Sequence, residues 1–267
     1  MHSAGVPQAS RDLIWDVFFK SRHRGVSLEV HFPWINDKNI THCLSVDVDV
    51  LSGQKTSLAS LVLKAIQSAT GEWFGLVGLV CVSPQSRRKG LSAKLVSSAI
   101  AVGHTLGWKG LILWTRSPEI YASQGFTIEK QELFGSVEGI QTVSFGRSIT
   151  SQSWPNVKDS ALLRGMPPFA SAASHYARDG ASVIALQTPL GLTVADWEGP
   201  TTSVVNILAE TMPSRWFLNV QTGDAIVGAL SAQNFRCDLA PANCQMVKSL
   251  CGAIRPEWPK ISFLDRI

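Results

Sequence analysis

The sequence predicts an α+β fold, a mixed sheet flanked by helices, and three observations carry that expectation. An apolar run from Leu76 to Val82 ends at Ser83-Pro84, a helical pattern follows from Gly90, and a further strand leads to Gly125-Phe126. Proline cannot donate to a sheet ladder, so the first run stops as a strand. Leu91, Leu95, Ala99, Val102 and Leu106 recur at spacings of three and four and share one helical face, which needs a sheet to bury it. Gly107 closes that helix.

The remaining elements follow in order. Arg11 to Arg24 reads as a helix with no obvious strand before it, and Val26 to Asn39 as a loop-rich stretch around His31-Phe32-Pro33-Trp34-Ile35-Asn36-Asp37. Strands are expected at Thr41 to Val50 and Ser57 to Ile66, turning at Ser52-Gly53-Gln54 and Ser68 to Gly71, an antiparallel meander leading into Leu76. After Phe126 come strands at Thr127 to Leu133 and Ile140 to Arg147. The polar stretch Ser148 to Pro155 then separates two domains, 1–150 and 151–267. In the second, helices are expected near Phe169 to Asp179, Thr201 to Thr211 and Thr222 to Gln233. Strands fall at Ala181 to Gln187, Leu192 to Trp197 and Arg215 to Val220, with closing strands after Phe235. This series repeats the first in coarse order, with Ala232-Gln233-Asn234-Phe235 where the first half has Ser123-Gln124-Gly125-Phe126. An unrelated α/β tail fits the coarse order equally well.

Chemistry concentrates between the strand at Leu76 and the helix at Gly90. Gln85, Ser86, Arg87, Arg88, Lys89 and Gly90 place three consecutive cations and a glycine at the positive end of a helix dipole. Unpaired N–H groups in a first helical turn donate to phosphate oxygens, and glycine lets the chain approach closely. A solvated basic turn is the plain alternative. A nucleotide loop of the GxxxxGK-Ser/Thr type and a GxGxxG dinucleotide fingerprint are both absent from the sequence.

Val82-Ser83-Pro84 followed by Arg87-Arg88-Lys89-Gly90-Leu91-Ser92 resembles the acyl-CoA pyrophosphate loop of the GNAT superfamily of N-acetyltransferases. Its pattern is Arg or Gln, two residues, Gly, one residue, then Gly or Ala, and Ser92 holds the last place here. Ile120-Tyr121-Ala122-Ser123-Gln124-Gly125-Phe126 is similar to that superfamily's second landmark, an apolar residue and Tyr followed by Gly-Phe. The resemblance implies a tandem GNAT fold with a degenerate C-terminal half, where Trp197-Glu198-Gly199-Pro200 occupies the loop position with an acid and no arginine.

It further implies acetyl-CoA as co-substrate and a primary amine, on a small molecule or a protein, as acceptor. The pantetheine arm would pair with the backbone of Val80, Cys81 and Val82, and the pyrophosphate with Arg87, Arg88, Lys89, Gly90, Leu91 and Ser92. Tyr121 is the implied general acid for the thiolate. His31, Trp34 and Asp37 lie where such a layout admits the acceptor, and Glu29, His31, Asp37, His42, Asp47, Glu72 or bulk water are the candidate bases. Cys81 sits in an apolar strand without a flanking cation and reads as core, since reactive thiols need an electropositive setting. A non-catalytic acyl-CoA sensor or scaffold is the alternative function, motivated by the imperfect loop, by the second half without a cofactor loop, and by the lack of a carboxylate on the strand Leu76 to Val82, where some members of the superfamily carry a glutamate.

Composition agrees and excludes some classes. At 267 residues, with 45% apolar content, the chain can bury one large or two small cores. No stretch approaches the roughly 20 apolar residues of a membrane span, and the start MHSAGVPQASRD lacks the apolar core of a secretion signal. The expected location is therefore cytoplasmic, without a membrane partner. Five cysteines with no CxxC pair suggest neither a disulfide framework nor a zinc site. A net charge of +4, partly concentrated in one turn, points to a polyanionic cofactor rather than nucleic acid.

Overall fold

A computed structural model describes residues 1–23, 25–49, 55–139, 149–153, 165–252 and 255–267. By contacts the chain forms two compact units: Met1–Glu129, Cys244–Ile261 and Asp265–Ile267 in the first, Lys130–Asn243 and Ser262–Leu264 in the second. The expected division near residue 150 falls inside the second unit, because the strand running on from Lys130 pairs there. The expected strand over 140–147 and the Trp154-Pro155 boundary lie outside the described residues.

The first unit is built on β1 (His2–Ala4), β2 (Thr41–Asp49), β3 (Lys55–Gln67), β4 (Trp73–Val82) and β5 (Gly110–Thr115). β1 pairs with β2, and β2, β3 and β4 form the expected antiparallel meander. β5 runs parallel to β4, and Cys244–Ser249 pairs antiparallel with β5 on its other side. β1 is the strand the sequence hides: three residues are too short to show alternation.

One face of this sheet carries α1 (Gln8–Phe18), whose Ser10, Leu13 and Ile14 are buried. The helix expected to reach Arg24 stops earlier, passing into a short 3₁₀ turn at Lys20–Arg22 that ends at His23 in the left-handed region. The loop expected over Val26 to Asn39 contains a single helical turn, α2 (Leu28–His31), capped by Ser27. The other face carries α3 (Leu91–Thr105), with Leu95, Val96, Ala99 and Gly103 buried against Leu44, Leu61, Leu63 and Leu111. Truncating Leu95, 3% exposed, would cost about 2–5 kcal/mol, as core leucines do. The turn α4 (Glu119–Ala122) follows β5.

In the second unit, the end of β6 (Thr127–Glu138) pairs with β11 (Arg215–Gln221). β11 runs parallel to β10 (Gly191–Glu198), and β10, β9 (Ala181–Thr188), β8 (Ala172–Arg178) and β7 (Thr150–Ser153) continue antiparallel. The helix expected near Phe169 to Asp179 is corrected to strand β8. Its alanines and arginine favour a helix locally, but full ladders to β7 and β9 override that weak preference. α5 (Thr201–Thr211) and α6 (Ala225–Ala232) cover a core of Val204, Ile207, Leu208, Trp216 and Leu218. β12 (Arg236–Ser249) closes the series.

The second unit repeats the first. β8-β9-β10-α5-β11-α6-β12 follows the order of β2-β3-β4-α3-β5-α4-β6. The match extends to individual bonds after the short helix. Gln124 and Phe126 donate backbone N–H groups to Tyr121 O, while Gln233 and Phe235 donate to Leu230 O. Gly125 and Asn234 both hold positive φ, at 80° and 64°. Gln124 bonds Ser97 on α3 at 2.8 Å, and Gln233 bonds Asn206 on α5 at 3.0 Å.

Candidate functional site

The site starts from a defect in β4. Gly78 pairs with Val62 and Cys81 with Ser60, so Leu79 and Val80 together face Leu61 as a bulge. Leu79 has φ 49°, a left-handed conformation costing a leucine about 1–2 kcal/mol. Pairing with β5 runs only from Phe74–Gly110 to Leu76–Ile112. Beyond Leu76, among the described residues, the edge of β4 that faces β5 meets no ladder partner, and a backbone lined by Val80, Cys81 and Val82 stands ready to bond an extended arm.

The loop at the end of β4 is pinned and then opened. Ser83 N–H donates to Leu58 O at 2.8 Å, and Ser86, 5% exposed, donates back to Ser83 O at 2.9 Å. Arg88 and Gly90 both take positive φ, 63° and 70°, which turns the chain into α3. A Cβ on Gly90 would meet no heavy atom within 4 Å. The first intrahelical bond comes from Lys94 N–H to Gly90 O. Ahead of it, glycine has no side chain to cap the helix, and the first turn carries no acid. The dipole and free N–H groups therefore face the exposed Arg87, Arg88 and Lys89, an arrangement suited to a diphosphate.

Tyr121 lies on α4, packed edge-on against Phe126 at 6.1 Å and joined to the core cluster that also holds Val80, Val82 and Leu91. Burial pushes its phenol above the ordinary value, so it stays protonated at neutral pH and able to donate. Cys81 is buried and its thiol is pushed up to about 12 by desolvation, which suits a core filler and not a nucleophile.

In the segment expected to admit the acceptor, His31 and Trp34 are buried and Asp37 is half-buried. His31 is 6% exposed, stacks on Phe19 at 5.7 Å, and accepts the Val26 N–H at 2.8 Å. Trp34 is 3% exposed, with Lys64 over its ring at 5.1 Å. Asp37 accepts the Asn39 N–H at 2.9 Å, shaping a turn. Among the other candidate bases, Glu29 pairs with Arg11 at 3.1 Å and Glu72 with Lys109 at 3.7 Å. Asp47 accepts from Ser45 and from Ser57. His42 is held below its ordinary pKa by burial and then by neighbouring His2. What sequence reasoning missed is the bulge itself and its neighbour Ile267. The space a Gly78 Cβ would fill is taken by Ile267, whose Cγ1 and O lie 2.4 Å from that position. An isolated glycine one residue before a run of four apolar residues was the available signal.

The corresponding place in the second unit is built shut. β10 is also irregular, between Val194 and Asp196, and pairs with β11 only at Thr193–Phe217 and Val194–Leu218. Only Gly199-Pro200 joins β10 to α5, however, and a Cβ on Gly199 would lie 2.5 Å from Gly180 O and 2.7 Å from Ala181 Cα. Leu230, wholly buried, stands where the first unit has Tyr121.

No family model matches the sequence, and no curated protein is significantly similar to it. Solved structures do match. A conserved protein of unknown function from Enterococcus faecalis V583, for which N-acyl transfer is suggested, superposes with a TM-score of 0.67 at 13% identity, covering 91% of this chain and 70% of its own. GCN5-related N-acetyltransferases from Kribbella flavida and Anabaena variabilis ATCC 29413 give TM-scores of 0.59 and 0.61, at 12% and 10% identity. They cover 91% and 93% of this chain and 68% and 72% of theirs. The fold is that of the GNAT superfamily. Within that fold, the bulged β4, the basic turn before α3 and Tyr121 belong to the first unit, and the second unit repeats its element order.

Proposed function

We propose that the chain is an acyltransferase that moves the acetyl group of acetyl-CoA to a primary amine by direct attack. The observation that carries this reading is the opening of β4 from β5 beside an uncapped helix start flanked by three cations. In this scheme the backbone of Val80, Cys81 and Val82 bonds the pantetheine arm. Arg87, Arg88, Lys89 and the N–H groups of Gly90, Leu91 and Ser92 hold the pyrophosphate. A backbone N–H at the bulge stabilises the oxyanion as charge moves onto the thioester oxygen. The amine lone pair attacks the carbonyl carbon, the carbon–sulfur bond breaks, and the thiolate takes its proton from the Tyr121 hydroxyl. The proton lost by the amine passes to water, and the tyrosinate regains one from water, so the chain returns to its starting state.

A non-catalytic acyl-CoA sensor is the second reading, favoured by one observation: the candidate bases Glu29, Asp47 and Glu72 are already bonded to neighbours. Thiol release from acetyl-CoA, measured against a panel of small amines and peptide N-termini, separates the two. Amine-dependent release upholds transfer; coenzyme binding without release across the panel upholds the sensor.

A further inference from the structure

A cavity of about 430 Å³ lies within the first unit, between α1, the start of β3 and the turn that follows β4. That volume falls among small-molecule sites of roughly 300–1,000 Å³. Its chemistry is divided between two walls. Along α1, Ala9, Leu13 and Val17 form one track of i, i+4 neighbours and Asp12 and Asp16 a second beside it, an apolar strip edged by two carboxylates. The strand and turn across from α1 contribute Lys55, Ser83 and Arg87 to the lining.

Among the described residues the carboxylates hold exchangeable partners. Asp12 accepts from Gln8 at 2.8 Å, and Asp16 faces Lys20 at 3.4 Å with both side chains mostly exposed. Such exposed pairs are worth little and yield readily to a ligand cation. The floor, by contrast, is rigid: Leu13 and Ser57 are buried, and Ser57 bonds both Asp47 and Ser10. A ligand matching both walls carries an ammonium and a carboxylate at opposite ends of a short aliphatic body.

We propose that this cavity binds a small zwitterion of amino-acid type with a branched aliphatic side chain. The ammonium sits on Asp12 and Asp16, the carboxylate on Lys55 and Arg87, and the side chain on Leu13 and Val17. Arg87 is also a pyrophosphate ligand in the function proposed above, and on that reading alone rests a corollary: zwitterion and coenzyme share one guanidinium and each weakens the other, as linkage requires.

L-leucine is the probe, titrated into the full chain by calorimetry. It should bind saturably at one site per chain. N-acetyl-L-leucine, which lacks the cation, and L-leucinamide, which lacks the carboxylate, should bind at least ~10-fold more weakly, the loss expected for one charge-assisted contact. The doubly substituted Asp12→Asn/Asp16→Asn chain should lose leucine affinity to the same extent while keeping its circular dichroism. Absent saturable heat, equal binding of the two analogues, or an unaffected double variant would each overturn the site. Coenzyme A titrated with and without saturating leucine tests the linkage, and an unchanged Kd overturns it. Leucine binding in a chain that binds no coenzyme would uphold the cavity and sink acetyl transfer; the converse result would sink the cavity alone.

Discussion

Two glycine turns in this molecule stand at equivalent places and do opposite things. At Gly90 the chain approaches α3 through a long basic loop, and the space beside its Cα is empty. At Gly199 the strand passes almost directly into α5, and that space is filled by the backbone of Gly180 and Ala181. Both glycines hold positive φ, 70° and 97°, so conformational freedom alone does not make a phosphate site. The difference lies in what faces the glycine: solvent and cations in one unit, a neighbouring turn, Glu198 and a proline without an N–H in the other. The short helix that follows tells the same story, with Tyr121 in one copy and Leu230 in the other.

The sharpest way to break the comparison is at that tyrosine. Tyr121→Phe keeps the ring on Phe126 and removes only the proton donor, so turnover should fall by about 10² to 10⁴ with coenzyme affinity nearly unchanged. Equal loss of affinity and melting temperature would make Tyr121 a packing residue like Leu230. Next in size is the loop: Arg87→Ala should raise the coenzyme Kd about 10- to 100-fold, as expected when one charge-assisted contact is lost. The second turn should contribute nothing, so titration should saturate at one coenzyme per chain, and two equivalent sites would erase the distinction drawn between the glycines.

Two smaller effects sharpen it. Gly199→Ala forces a Cβ onto backbone atoms and should lower the melting temperature by more than ~8 °C, the most that Gly90→Ala would cost at about 2–4 °C per kcal/mol. Gly90→Ala meets open space and costs only the left-handed conformation, about 1–2 kcal/mol. Equal shifts would mean the two environments do not differ. The smallest effect is alkaline. Burial raises the Cys81 thiol from 9.0 to about 12 and lifts Tyr121 from 10.0. The folded chain therefore holds these protons more tightly than the unfolded one, and their contribution is complete below pH ~9 and lost as pH climbs through about 12. Urea midpoints should fall from pH 8 to pH 10, and a midpoint flat across that range would contradict the burial of Cys81.

Much of this was legible in the residues. Proline after Val82, the helical period from Leu91 and the Tyr121 to Phe126 string each carry a local signal, and those elements appear where expected. The repeat was visible as well, through Gln233-Asn234-Phe235. Legibility failed where structure depends on distant partners. β8 looks helical until its two neighbours are known, β1 is too short to alternate, and the bulge at Leu79 has neither glycine nor proline at its strained residue. His31 and Trp34 looked like ligand contacts because polar aromatic groups attract that reading; their stacking on Phe19 and under Lys64 is a tertiary fact.

The pairing of Cys244–Ser249 with β5 sets a condition on how this protein is made. A chain emerging from the ribosome completes Gly110–Thr115 long before its outer neighbour is translated, so an apolar edge waits unpaired while the second unit is synthesised. Contacts of such wide sequence separation slow folding and prolong exposure to aggregation. Chaperone occupancy on ribosome-bound chains should therefore persist until residue 249 has cleared the exit tunnel, and should fall abruptly once it has.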